Sequence, residues 1–215
     1  MKPAEALGDY MLFFGQFLRN LRQSGAILPS SSALARAMTS YLARKQGQVR
    51  VLEVGAGTGA LTAGIVPLLR PGDALDIVEI NPELMARLQR KFQSLPQFHT
   101  DGVAVRFINE DVRNVSFERD YDYIIFSLPL TNFPPGMVQE LLDLMMSCLK
   151  PGGVFSYVKY IFISRLKSVF GGARLRADMK ANQAITHAFA EKYQIERRAV
   201  WRNIPPAWAF FWQKR

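Results

Sequence analysis

"VLEVGAGTGALT", residues 51–62, places Gly55, Gly57 and Gly59 at alternate positions directly after an apolar, β-branched run. A strand running into such a turn lets the backbone approach a ligand closely at the carboxyl edge of a parallel sheet. Glu79 ends the next apolar run, "ALDIVEI" (74–80), 20 residues beyond Gly59. A carboxylate there can accept hydrogen bonds from two ribose hydroxyls. Together these features indicate a nucleoside cofactor but leave its identity open, because Gly55, Gly57 and Ala60 also satisfy the dinucleotide pattern G-x-G-x-x-G/A.

Outward from the turn, short apolar runs alternate with helix-period stretches. "VRVLEV" (49–54), "ALDIVEI" (74–80), "VAVRFI" (103–108), "YDYIIF" (121–126) and "GVFSYV" (153–158) read as strands. "ELMARLQRKFQSL" (83–95) and "GMVQELLDLMMSCL" (136–149) read as helices, the second with Leu141, Leu144, Met145 and Leu149 at helical spacing. Turn signals at Arg70-Pro71-Gly72 and Lys150-Pro151-Gly152-Gly153 close two helices. A further helix near 176–192 precedes two last strands, "YQIERRAVW" (193–201) and "AWAFFWQK" (207–214). Repeated βα units predict an α/β fold: a seven-stranded, mostly parallel sheet covered by helices on both faces.

The chain has 215 residues, 49% of them hydrophobic, which is enough to bury a full core. Cys148 is the only cysteine and His99 and His187 the only histidines, so neither a disulfide framework nor a Cys/His metal cluster can be built, and a reducing cytosol fits best. No metal is expected. The start shows no basic-then-apolar leader, and no apolar run approaches the ~20 residues needed to cross a bilayer. The expectation is a cytoplasmic chain, neither exported nor membrane-spanning.

Charge is unevenly placed. The net +9 divides into an acidic middle of −4 over residues 49–158 and flanks that sum to +13. Flanks of that sign suit an anionic surface, either nucleic acid or acidic lipid, against the plainer reading of solvated surface.

Glu53 narrows the cofactor. A carboxylate two residues before the turn would repel a pyrophosphate, but suits a ligand carrying an ammonium and a sulfonium, as S-adenosylmethionine does. "NEDV" (109–112) follows the third strand and sets Asp111 where it can accept from an adenine amino group. With E-x-G-x-G-x-G, Glu79, Asp111 and the Lys-Pro-Gly-Gly turn in this order, the sequence resembles the class I S-adenosylmethionine methyltransferases over residues 49–213. The resemblance implies a Rossmann-like fold with a cofactor site of Glu53, Gly55, Gly57, Thr58, Gly59, Glu79, Ile80, Asp111 and Val112. A structural role for the two acids Glu79 and Asp111 is the alternative.

In that family the end of the fourth strand faces the transferred methyl. Here it reads Ser127-Leu128-Pro129-Leu130, in the positions of the [Asn/Asp/Ser]-x-Pro-[Tyr/Phe] signature of amino methyltransferases. Pro129 cannot donate to a sheet ladder, so the chain leaves the sheet with carbonyls available to an acceptor amine. Leu130 replaces the ring that stacks on a flipped base, a contact worth about 1–3 kcal/mol, which favours an aliphatic amine.

"GAILPSSSALARAM" (25–38), "LPLTNFP" (128–134) and "RNIPPAW" (202–208) resemble stretches of the bacterial phospholipid N-methyltransferase family, whose members act on phosphatidylethanolamine or ornithine lipids. That family commonly has Ser-Gly where this chain has Phe126-Ser127. The resemblance implies a membrane lipid amine as substrate. Ser127, Leu128 and Pro129 are candidates at the reaction centre, and Tyr157, Tyr160 or a water relay are candidates to take the amine's proton. Ser30, Ser31, Asn132, Lys159, Arg202 and Asn203 are candidates for the lipid headgroup. The rings of Phe133, Tyr157, Tyr160 and Trp201 are candidates for a cage around a growing cation.

A physical argument for lipid comes from "DYMLFFGQFLRNLRQSG" (9–25). Phe13, Phe14 and Phe17 share one apolar face, and Arg19 and Arg22 lie on the basic one. Such a helix suits a membrane interface, or docks on the domain as a lid. "YIFISRLKSVFGGARLR" (160–176) repeats the composition. The expected organisation is residues 1–48 as an amphipathic and capping segment and 49–215 as the transferase domain, peripherally bound to an anionic inner membrane. Two rivals stand: an rRNA adenine N6-methyltransferase, opposed by Leu130 and by the lack of a separate RNA-reading domain, and an inactive membrane-binding module. Nucleic acid is not the expected partner.

Overall fold

The structure, a computed structural model, describes residues 31–117, 121–161 and 173–215. Seven strands form one sheet: β1 (Arg50–Val54), β2 (Ala74–Val78), β3 (Ala104–Ile108), β4 (Tyr121–Phe126), β5 (Leu149–Tyr160), β6 (Gln194–Val200) and β7 (Ala207–Gln213). Their spatial order is β3-β2-β1-β4-β5-β7-β6. β7 alone runs antiparallel to its neighbours. The order reverses between β1 and β4, and ligands of open α/β sheets bind outside the carboxyl ends of the strands at such a point. The described helices are α1 (Ser32–Met38), α2 (Thr62–Ile65), α3 (Pro82–Ser94), α4 (Pro135–Cys148) and α5 (Ala173–Tyr193).

The period-2 alternation of each strand splits the core into two layers. Val51, Leu75, Ile77, Ile125 and Val158 face one layer, closed by Leu34, Met38, Leu42, Ile65 and Leu88. Leu52, Val54, Ile124, Phe126, Phe155 and Tyr157 face the other, closed by Val138, Leu141, Leu142 and Met145 of α4, with Ile185 and Phe189 of α5 against it. Residues 31–48 thus share the first layer with the strands. Lys45 and Asp73 pair at 2.5 Å in the same region, both buried. Val49 N and Arg70 N also donate to this carboxylate. Burial alone would push the Asp73 carboxyl up; the Lys45 ammonium and those two amides outweigh it and hold it below the ordinary value.

Local chemistry sets the helix that follows β2. The Asn81 side chain accepts from Glu83 N and Leu84 N, and Pro82 occupies the first helical turn. β5 departs from expectation by starting at Leu149, not Gly153. Tyr121 pairs with Leu149 and Tyr123 with Val154, so the Lys150-Pro151-Gly152-Gly153 turn is absorbed as a bulge in the strand.

Candidate active site

The glycine turn leaves β1 at the switch point with Gly55, Gly57 and Gly59 all at positive φ. Neighbours give two of them a further reason to lack a side chain. A Cβ on Gly55 would lie 2.5 Å from Leu128 Cδ2, and one on Gly59 the same distance from Leu88 Cδ1. At Gly57 the nearest atom would be Gly55 O at 3.9 Å, so this part of the turn faces open space. An open cleft lies at the Gly55 end of the turn. Gly55, Glu79, Ile80, Asp111, Val112 and Leu128 line it, with Arg113, Phe133, Met137 and Leu141. Thr58 stands outside this lining, and Lys91 Nζ donates to its carbonyl at 2.6 Å.

Each acid of the site has a distinct environment. Glu79 Oε2 accepts from Gly57 N and Oε1 from Asn81 N, both at 2.8 Å, so the carboxylate braces the glycine turn and keeps lone pairs for further donors. Burial pushes its pKa up. Glu53 is fully buried beneath the turn. Its Oε2 accepts from Thr62 Oγ1 at 2.7 Å, while Oε1 has no hydrogen-bond partner among the described residues. Burial, with a smaller contribution from the Glu79 charge, pushes the Glu53 pKa up to about 8. Asp111 lines the cleft, but Arg113 grips both its oxygens, the shortest contact being 2.8 Å, and reaches Glu140 as well. An adenine amino group would therefore share Asp111 with Arg113, a partner the sequence reading missed.

The loop after β4 is tied to the glycine turn. Ser127 Oγ donates to Gly55 O at 2.5 Å, and Ser127 N donates to Val54 O at 3.0 Å. The carbonyls of Ser127 and Leu128 accept no hydrogen bond from any described residue. Pro129 is different from expectation: its own carbonyl accepts from Asn132 N at 2.8 Å, closing a 3₁₀ turn, Leu130–Asn132. The carbonyls left for an amine are thus the two before the proline. Asn132 stands on that turn, with Thr131 Oγ1 3.5 Å from its Oδ1. Leu130 turns into the second core layer, and Asn182 of α5 holds the segment by donating to Leu130 O (3.3 Å) and Phe133 O (2.8 Å).

Other candidates do not converge on the cleft. Tyr157 and Tyr160 sit on opposite faces of β5, so the strand cannot present both to one ligand. Tyr157 stacks on Phe210 with centroids 4.8 Å apart, and burial pushes its phenol above the ordinary value. Trp201 is 65% exposed on the β6–β7 hairpin. With Phe133 in the cleft and Tyr157 in the core, the four rings form no single cage. Ser31 caps α1, its Oγ accepting from Leu34 N, and its own N–H donates to Asn203 Oδ1 at 2.9 Å. Asn203 Nδ2 donates to Pro205 O of its own loop, so the Asn203 amide ties Ser31 to the β6–β7 hairpin. Lys159 lies at the carboxyl end of β5, and burial lowers its pKa. Arg202 is exposed on the hairpin. Ser30, Phe13, Phe14, Phe17, Arg19, Arg22 and most of 160–176 lie outside the described residues.

Residues 51–153 match the family described as "Methyltransferase domain". That stretch, just under half of the chain, is similar to methyltransferase domains, and the seven-stranded sheet has the Rossmann-like arrangement of class I S-adenosylmethionine-dependent methyltransferases. It is 25% identical to the ornithine lipid N-methyltransferase of Singulisphaera acidiphila over 203 residues, covering 94% of this chain and 95% of that enzyme. A local stretch of 65 residues is 42% identical to ribosomal RNA small subunit methyltransferase A of Pseudomonas syringae pv. tomato, covering 30% of this chain and 23% of that enzyme. Among solved structures, the magnesium protoporphyrin IX methyltransferase of Synechocystis PCC 6803 superposes with a TM-score of 0.59 at 13% identity, over 85% of this chain and 80% of that one. S-adenosylmethionine is the cofactor of this family, and the residues present fit it. Gly57 faces open space, Glu79 keeps lone pairs for hydroxyls, and Oε1 of Glu53, without a hydrogen-bond partner among the described residues, suits a cationic group. Among the described residues no helix is long and apolar enough to cross a membrane, and no group of three or more His, Cys, Asp or Glu could hold a metal ion.

Proposed function

We propose that this transferase methylates the primary amine of a membrane lipid headgroup, of phosphatidylethanolamine or an ornithine lipid. The observation that carries the choice of acceptor is the loop after β4. Two adjacent carbonyls beside the glycine turn, those of Ser127 and Leu128, accept from no donor among the described residues, and the side chain where a stacking ring would stand is a buried leucine. The similarity to an ornithine lipid N-methyltransferase over nearly the whole of both chains supports the same reading.

When bound, S-adenosylmethionine supplies an electrophilic methyl carbon on a positively charged sulfur. Glu79 orients the glycine turn through Gly57 N, and Glu53 offers a buried carboxylate oxygen to a cation. The Ser127 and Leu128 carbonyls accept the amine hydrogens and direct its lone pair, a positioning role of the kind that lowers barriers without covalent participation by the protein. Ser127 Oγ keeps that loop in register with the turn.

The test is transfer of radiolabelled methyl to purified aminolipids in mixed micelles and, in parallel, to unmodified small-subunit rRNA. Label in the lipid is expected. Label in rRNA alone would favour the reading that the local similarity to the ribosomal RNA enzyme supports.

A further inference from the structure

The tip of the β6–β7 hairpin has no part in the cleft, yet it shows the two largest apolar exposures among the described residues. Trp201 is 65% exposed and Ile204 58%, with exposed Arg202 between them. Single exposed apolar side chains are ordinary; two on one tight turn form a patch that water disfavours.

The turn is built to hold them outward. Asn203 N donates to Val200 O at 3.3 Å, and the Asn203 side chain, 2% exposed, is fixed by Ser31 N and Pro205 O. Pro206 O accepts from Ile161 N at 3.0 Å. The buried amide braces the loop from beneath while its neighbours point away from the core.

Position and charge identify the partner. β6 runs parallel to β4, so its end lies on the same edge as the acceptor loop. With strands ~4.8 Å apart, the hairpin stands roughly 12 Å along that edge from the end of β4. Lys159 of β5, which has no carboxylate partner among the described residues, lies between them. The chain joins this hairpin at Ser31 and Ile161, and the sequence beyond both points is rich in apolar and basic residues.

We propose that Trp201 and Ile204, flanking Arg202, insert into the headgroup boundary of an anionic bilayer and seat the acceptor edge of the sheet on it. Trp suits that boundary, and the Arg202 stem can lie along apolar surface with its charge among phosphates. This deepens the lipid-amine reading and rests on it.

The experiment uses the full chain and vesicles of phosphatidylcholine and phosphatidylglycerol with brominated acyl chains and no aminolipid. The Trp201 signal is the difference between parent and Trp201→Phe, since Trp208 and Trp212 remain in both. The expected result is quenching of that signal on binding, and about tenfold weaker flotation for Trp201→Ser/Ile204→Ser. Methyl transfer to aminolipid in vesicles should fall in parallel, with transfer to a short-chain, monomeric aminolipid unchanged, which shows that the double variant is folded. An unquenched Trp201 in vesicle-bound protein, or equal flotation of parent and double variant, would overturn the proposal. So would a Trp201 shielded from iodide in solution and uncovered by deleting residues 1–24, which would make the chain's own N-terminal segment the occupant. Quenching without methyl transfer to any aminolipid would leave the insertion standing and remove the lipid-amine reading.

Discussion

Ser127 Oγ and Gly55 O lie 2.5 Å apart, so the loop that would hold the acceptor and the turn that would hold the cofactor are joined by one hydroxyl. Replacing Ser127 with alanine deletes that bond and leaves the Gly55 carbonyl to water. The expected outcome is a fall in kcat of about tenfold with cofactor affinity within about threefold of the parent, because the turn itself is braced by Glu79. Steady-state kinetics with calorimetric cofactor titration checks the split.

Gly57 combines a φ of +57° with open space on its Cβ side. Gly57→Val adds backbone strain and fills the space the cofactor needs, so calorimetry should find no binding. Glu79→Ala removes the acceptor of Gly57 N and Asn81 N, and should weaken binding by about tenfold or more while also lowering the melting temperature.

Glu53 gives a pH signature. Its folded-state pKa is about 8 against 4.5 for a free glutamate, so the ligand-free fold retains a proton that the unfolded chain releases. Stability from this group is therefore undiminished below about pH 4.5, falls as pH rises, and levels off above about 8. A cationic group next to Oε1 favours the ionised form, so cofactor binding should release a proton and strengthen as pH rises from about 6 to 8. Titration in buffers of different ionisation enthalpy measures that proton. Glu53→Gln should abolish its release and raise the ligand-free melting temperature at pH 8.

Lys45 and Asp73 form a buried pair far from the cleft. Lys45→Met leaves the Asp73 carboxylate buried without its cation, and should destabilise the fold by about 3–5 kcal/mol. Denaturant unfolding of the variant, compared with the milder double variant Lys45→Met/Asp73→Asn, measures it.

What was legible in the sequence is what depends on neighbours along the chain. The strand order of apolar runs, the positive-φ glycines and Glu79 at the end of β2 are local, and parity along a strand assigns each residue to a face. That same parity separates Tyr157 from Tyr160, a step the sequence reading did not take. Arg113 on Asp111 lies two residues away, but an Asp-x-Arg spacing by itself does not say whether the pair closes on itself or faces a ligand. The Ser31–Asn203 and Asn182–Leu130 bonds join residues 172 and 52 positions apart, and nothing local encodes them. Long-range polar contacts between loops are therefore the part of the site that the sequence does not display.

The proposed reaction is methyl transfer to a lipid amine. It is tested most directly by mass spectrometry of aminolipid vesicles incubated with the full chain and S-adenosylmethionine, with the Gly57→Val variant as control. Headgroups heavier by one or more methyl groups are expected with the parent and none with the variant. Unchanged aminolipids alongside methylated adenines in small-subunit rRNA treated in the same way would contradict it.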